Sequence, residues 1–214
     1  MELLHADAHL VAVNKPGGTP AQADPTGDPS LLDALRAAYG HGVELPHRLD
    51  RPVSGVLVAA RTPEALRALN TAFASGRVRK VYWAIVEGLL HGHGTWQTVL
   101  THDARARRAR TVAPGEGRAV RLAWRVLRAG ERYTLLELRP EQGAFHQLRA
   151  QCAAAGHPIK GDVKYGARRG EKDRTIALHA RSIALLHPVT GADLLLEAPS
   201  PDGALWRALV PVQG

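Results

Sequence analysis

The run HRLDRPVSG, residues 47–55, sets one carboxylate, Asp50, between two arginines and just ahead of the apolar stretch GVLVAA. Taken alone, an aspartate there reads as a turn or capping residue, because its side chain readily bonds nearby backbone N–H groups. It is also a side chain that could attack or deprotonate a substrate, provided a nearby cation keeps it ionised away from water. Rival chemistries lack their residues. KPGGTP is not a GxxxxGK phosphate loop, and no GxGxxG follows a strand-like run. No GxSxG elbow is present for a serine hydrolase. Eleven histidines invite a metal reading, yet there is no HExxH, and HGHG at residues 91–94 brings no carboxylate with it. No metal is therefore expected.

Charge narrows the partner. The chain has 214 residues and a formal net charge of +8, which favours a polyanion. The excess is concentrated: residues 101–128 hold eight arginines, among them Arg105, Arg107, Arg108 and Arg110, against Asp103 and Glu116. A stretch with that imbalance is the electrostatic footprint of a nucleic-acid binder. Cys152 is the only cysteine, so an internal disulfide and a cysteine-based zinc site are excluded, and packing is its expected role. The opening MELLHADAHL carries acids and no basic leader, unlike a signal peptide. No apolar stretch approaches the roughly 18 residues of a membrane span. A cytoplasmic chain with no membrane partner is expected.

The elements that must position these residues follow from periodicity and punctuation. Residues 10–14, LVAVN, form a strand stopped by the KPGG turn, and the Asp, Pro and Gly-rich residues 21–29 form a surface loop. Ser30 opens a helix with Leu31, Leu32, Leu35 and Ala38 at helical spacing and Gly40 as its stop. Residues 56–60 are a buried strand, after which Thr62 caps and Pro63 starts a helix that ends at Gly76. The runs KVYWAIVEG, GTWQTVLT, RAVRLAWRVLRAG and ERYTLLELRP read as consecutive strands, which favours antiparallel pairing. HQLRAQCAAAGH is a short helix with Leu148, Cys152 and Ala155 on one side, and TIALHARSIALLHP and ADLLLEAP are late strands. The arginine-rich segment and GARRGEKDR are expected to be mobile loops. This order predicts an α+β chain built on a mixed, mainly antiparallel sheet flanked by helices, as one domain over residues 1–214.

Five of these stretches resemble, in order, the motifs of RluA-type RNA pseudouridine synthases. NKPGGTP is similar to their NKPxGxP segment and HRLDRPVSG to their HRLDxxTSG, with Val53 where Thr is usual. KVYWAIVEG resembles KxYxAxVxG, GAFHQLRAQCAAAGHPIKGDVKYG resembles GRxHQIRxHLxxxGxPIxGDxxYG, and LHARSIALLHPVTG resembles LHAxxLxFxHPxTG. The resemblance spans residues 14–191 and implies the catalytic fold of that family.

What it implies for function is isomerisation of uridine in structured ribosomal or transfer RNA, without cofactor. Asp50 corresponds to the essential aspartate, Tyr82 to a tyrosine whose ring stacks on the flipped uracil, and Arg149 to an arginine that pairs with the aspartate. An arginine fork suits that last role because it holds a carboxylate bidentately. Arg48 corresponds to a side chain that enters the RNA stack vacated by the target base, or else contacts phosphate. Lys15, Lys80, His146 and Gln147 either touch RNA or satisfy local backbone groups. Gly143-Ala144 replaces the usual Gly-Arg, so one basic contact is missing, and the arginines around 105–110 are expected to supply RNA grip. A monomer with no obligate protein partner suffices for this activity. The alternative is a noncatalytic RNA-binding or ribosome-assembly protein on the same fold; a metal-dependent nuclease using Asp and His is a further rival.

Overall fold

The computed structural model describes residues 1–211. The chain divides into two compact units, Met1–Lys80 with His179–Pro199, and Val81–Leu178 with the chain from Ser200 onward.

In the first unit, β1 (Glu2–Ala6) and β2 (Leu10–Lys15) form an antiparallel pair, and β2 pairs antiparallel with β3 (Ser54–Ala60). Between them lie the loop and α1 (Leu31–Tyr39), closed at its start by a capping box in which Ser30 and Asp33 satisfy each other's backbone N–H groups. After β3 comes α2 (Pro63–Ala74), with Thr62 as its cap and Pro63 in its first turn, as the sequence predicts. A crossover of more than a hundred residues then returns β9 (Leu178–Leu186) parallel to β3, and β10 (Asp193–Glu197) pairs antiparallel with β9. The core joins Val56, Val58 and Ala60 of β3 to Leu69 of α2 and to Ile183, Leu185 and Leu196 of the returning strands. Val56 to Ala60 are buried on both faces, which explains a continuous apolar run instead of an alternating one.

In the second unit the strand order is β4 (Arg79–Glu87), β8 (Tyr133–Pro140), β7 (Arg118–Ala129), β5 (His93–Asp103) and β6 (Arg108–Val112), every pair antiparallel. One face of this meander packs on α3 (Gln147–Ala154), through Leu100, Ala109 and Val120 against Ala150. A short α4 (Ala204–Leu209) follows the last strand. The α+β class and the mixed, mainly antiparallel pairing are therefore as expected.

Two expectations need correction. The arginine-rich segment is not a loop throughout: Arg108–Val112 is β6, laddered to β5 from Val99↔Val112 to Asp103↔Arg108, and only residues 104–107 turn. α3 is not one-sided either, because Gln147, Leu148, Arg149, Ala150, Gln151 and Cys152 are all buried. A helix enclosed all round has no polar stripe, and its polar side chains must find partners inside the protein.

Candidate active site

In the first unit the backbone of residues 47–50 alternates its side chains between core and rim. His47 turns inward, stacks on Phe73 at 4.5 Å and accepts the Val58 N–H through Nε2 at 3.0 Å. Accepting there leaves the proton on Nδ1, so the ring is neutral; burial, with the nearby Lys80 charge, pushes its pKa down to about 3. Arg48 is exposed, Leu49 is buried, and Asp50 is half-buried at a turn closed by the Val53 N–H on the Asp50 carbonyl at 3.0 Å. The HRLD segment is thus anchored by its histidine and leucine, with the arginine exposed and the aspartate half-buried.

Lys15 is fully buried, and its three ammonium protons go to the carbonyls of Pro16, Thr19 and Arg51 at 3.0, 2.8 and 3.2 Å. Of the two roles the sequence offers it, backbone satisfaction is the one observed. Burial pulls its pKa down to about 7, opposed by the Asp50 charge, so the two groups interact electrostatically. Arg51, for which the sequence offers no role, holds the loop before α1: its Nε donates to Gly18 O at 2.8 Å, its Nη1 to Thr26 Oγ1 at 2.7 Å, and its Nη2 pairs with Asp28. Lys80 is half-buried, and desolvation lowers its pKa. His179, in the LHARS motif, is buried and bonds Ser54 Oγ through Nδ1 at 2.9 Å.

In the second unit Tyr82 of β4 is half-buried and lies opposite Leu138 of β8, which lies opposite Trp124 of β7. Cross-strand partners share a face, so Tyr82 stands on the face that packs against α3. By the same alternation Arg108 and Arg110 flank the buried Ala109 and point to the other face. Arg105 and Arg107 are exposed in the turn between β5 and β6.

Arg149 is buried and clamps Asp162 with a two-point fork, Nε to Oδ2 at 2.7 Å and Nη2 to Oδ1 at 2.8 Å. Its Nη1 also lies 3.1 Å from His146 Nε2, and its guanidinium sits 5.0 Å over the Tyr165 ring. A guanidinium only donates, so His146 Nε2 accepts and its proton sits on Nδ1, bonded to Tyr165 Oη at 2.9 Å. Tyr165 Oη in turn takes the Ala109 N–H at 2.7 Å. His146 holds a left-handed backbone, φ 51°, at the entrance to α3, a conformation uncommon for a residue other than glycine. Gln147 is buried and bonds Arg121 O, Gln151 Oε1 and the Ala144 N–H, so it belongs to the scaffold and not to an RNA surface. Ala144, where an arginine is usual, packs against the Leu100 and Val120 cluster.

Asp162 and Tyr165 escaped the sequence reading although both lie in GDVKYG. Asp162 precedes a 3-10 turn (Val163–Tyr165), between Gly161 at φ 88° and Gly166 at φ 94°. The signal for it was available in principle: a buried arginine in a helix requires a buried acid. Cys152 is buried, and desolvation, then the charge of Asp162, raises its pKa, as suits a packing residue. Among the described residues no group of three or more His, Cys, Asp or Glu side chains is placed to hold a metal ion, and no helix is long and apolar enough to cross a membrane.

Residues 9–154 match the family described as RNA pseudouridylate synthase. Among proteins of similar sequence is the tRNA pseudouridine synthase C of Pectobacterium carotovorum, 33% identical over 98% of this chain and 61% of its own length. Another is the ribosomal large subunit pseudouridine synthase C of Salmonella typhimurium, 35% identical over 97% of this chain and 68% of its own. The solved structure of human RNA pseudouridylate synthase domain containing 1 superposes with a TM-score of 0.80 at 26% identity, over 94% of this chain and 83% of that one.

Proposed function

The chain belongs to the RNA pseudouridylate synthase family, whose members are isomerases that convert uridine to pseudouridine in RNA, and from that premise we propose the substrate and the residue roles. The substrate is a specific uridine in structured ribosomal or transfer RNA. Residues 1–214 work as a single catalytic domain, as a cytoplasmic monomer that needs no protein partner, metal or cofactor.

The reaction is balanced within the substrate. The bond from uracil N1 to ribose C1′ breaks, the base turns, and a bond from C5 to C1′ forms. The C5 proton leaves and N1 ends protonated, so no co-reactant enters. Asp50 supplies the carboxylate that meets the positive charge developing on the ribose, by attack at C1′ or by taking a proton from C2′. Tyr82 stacks on the flipped uracil, with its hydroxyl directed at the departing C5 proton. Arg149 is the cation assigned to orient the Asp50 carboxylate, the role that the resemblance to the family implies for it. Arg48, exposed beside Asp50, fills the gap left in the RNA stack, which offsets part of the few kcal/mol that extrusion of a base costs. Lys80, His146 and the exposed Arg105, Arg107, Arg108 and Arg110 contribute to RNA binding, the last two from the sheet face turned away from Tyr82.

The observation that carries this reading is the setting of Asp50. It is a half-buried carboxylate on a segment anchored at His47 and Leu49, next to Arg51, whose carbonyl takes a hydrogen bond from the buried Lys15 ammonium at 3.2 Å. Asp50→Asn keeps the shape and removes the charge. It should abolish pseudouridine formation, read by carbodiimide mapping of RNA, while RNA affinity and thermal stability stay close to wild type. Modification at an unchanged rate would refute the assignment. Wild-type protein that binds RNA and modifies no site would favour the noncatalytic binder.

A further inference from the structure

Phe145 is the only Phe, Tyr or Trp side chain left exposed among the described residues, 40% exposed between the half-buried Ala144 and His146. Its ring lies on His146, centroids 3.9 Å apart and planes 16° apart, and meets His102 of β5 at 4.7 Å and 72°. The rings beneath it are fixed. His146 is held at both nitrogens, by Tyr165 Oη at 2.9 Å and by Arg149 Nη1 at 3.1 Å, and it packs edge to face on Tyr165 at 5.6 Å. Tyr165 is tied to the Ala109 backbone of β6. The left-handed backbone at His146 sets the direction in which Phe145 leaves the chain. The result is a flat ledge that needs no ordering when a ligand arrives.

Its surroundings are cationic. Arg105 and Arg107 occupy the turn that follows His102, and the exposed Lys164 donates through Nζ to the Arg107 carbonyl at 3.1 Å. Arg118 lies opposite Leu100, on the same face as His102. A lone flat apolar ring backed by fixed aromatics and fringed with lysine and arginine is the arrangement that takes a nucleobase on its face and a phosphate at its edge.

We propose that Phe145, supported by His146 and His102, is a stacking platform for one unpaired base of the RNA substrate outside the reacting uridine. This rests on the family-based reading of RNA as substrate and adds a recognition residue to it. Phe145 also follows Ala144, which takes the place of a usual arginine, so part of the grip comes from stacking instead of charge.

The test measures affinity for decauridylate and for bulk transfer RNA at several salt concentrations, using wild type, Phe145→Ala, Phe145→Leu and Phe145→Tyr. Phe145→Ala should weaken binding by about tenfold, as loss of one stacked base does. Phe145→Tyr should bind like wild type, Phe145→Leu should bind like the alanine variant despite its bulk, and the salt slope should be the same in all four because no charge is lost. Binding by Phe145→Ala within twofold of wild type, or full affinity in Phe145→Leu, overturns the platform while leaving the enzyme assignment intact. Wild type that binds neither RNA overturns both. In turnover, Phe145→Ala should raise KM for RNA with little change in kcat, whereas a fall in kcat at unchanged KM places Phe145 in the chemistry and overturns a recognition role.

Discussion

Asp162 never touches the bonds that change in the proposed reaction, yet it governs how Arg149 is presented. Both groups are almost wholly out of water, and the two-point fork between them fixes the plane of the guanidinium. Removing one partner of such a pair leaves a buried charge without its counter-ion. Asp162→Asn should therefore destabilise the protein by about 3–5 kcal/mol, read as a lower midpoint in urea unfolding at unchanged slope. A shift below about 1 kcal/mol would mean that water reaches the guanidinium. Of the proposed catalytic residues, Asp50, Tyr82 and Arg149 were legible through their motifs. Lys15 was legible only as a basic residue of unsettled purpose, because nothing in NKPGG says that three carbonyls will turn toward its ammonium. Asp162 was harder to read, because the signal for it depends on knowing that Arg149, 13 residues away, is buried, and the apolar pattern of that helix understates its burial.

Among the elements, β3 is the most demanding. Gly55 has φ 111°, and a Cβ built on it would run into the backbone of Ala180, where β3 and β9 run parallel. No side-chain rearrangement relieves a clash with backbone, so Gly55→Ala should cost on the order of 4 kcal/mol and lower the melting temperature sharply. A melting temperature within a few degrees of wild type would contradict that packing. Strands β2 and β3 and helices α1 and α2 were legible because apolar runs, caps and stops agree there. β6 was not: RARTV holds a single buried residue, Ala109, among exposed arginines, and only the ladder to β5 makes it a strand. β1 is exposed along much of its length and α4 has six residues, so neither offers a strong periodic signal.

For the molecule as a whole, the neutral histidines His47 and His179 set a lower pH limit. Desolvation holds His47 at about 3 and His179 at about 4, against 6.5 for an ordinary histidine. Below pH 6.5 the unfolded chain binds protons at these positions that the folded chain refuses, so stability falls as pH drops from about 6.5 toward 4 and is unaffected by them above that window. His179 alone accounts for a slope of up to about 1.4 kcal/mol per pH unit. Urea midpoints measured from pH 7 to pH 4 should fall in wild type and fall less steeply in His179→Gln. Identical slopes would show that His179 titrates normally in the fold.

The first unit closes its core with Ile183, Leu185 and Leu196, more than a hundred residues after Leu69 has been added to the chain. During synthesis the early strands must therefore wait, with Val56 and Val58 lacking part of their cover, while Val81–Leu178 is made. Contacts that distant in sequence form slowly. The ribosome thus delivers the HRLD segment early but its supporting core late, and the carboxylate at position 50 gains its final setting only as the last strands emerge. A chain truncated before residue 179 carries Asp50, Tyr82 and Arg149 in full and still lacks the strands that finish the fold around the first of them.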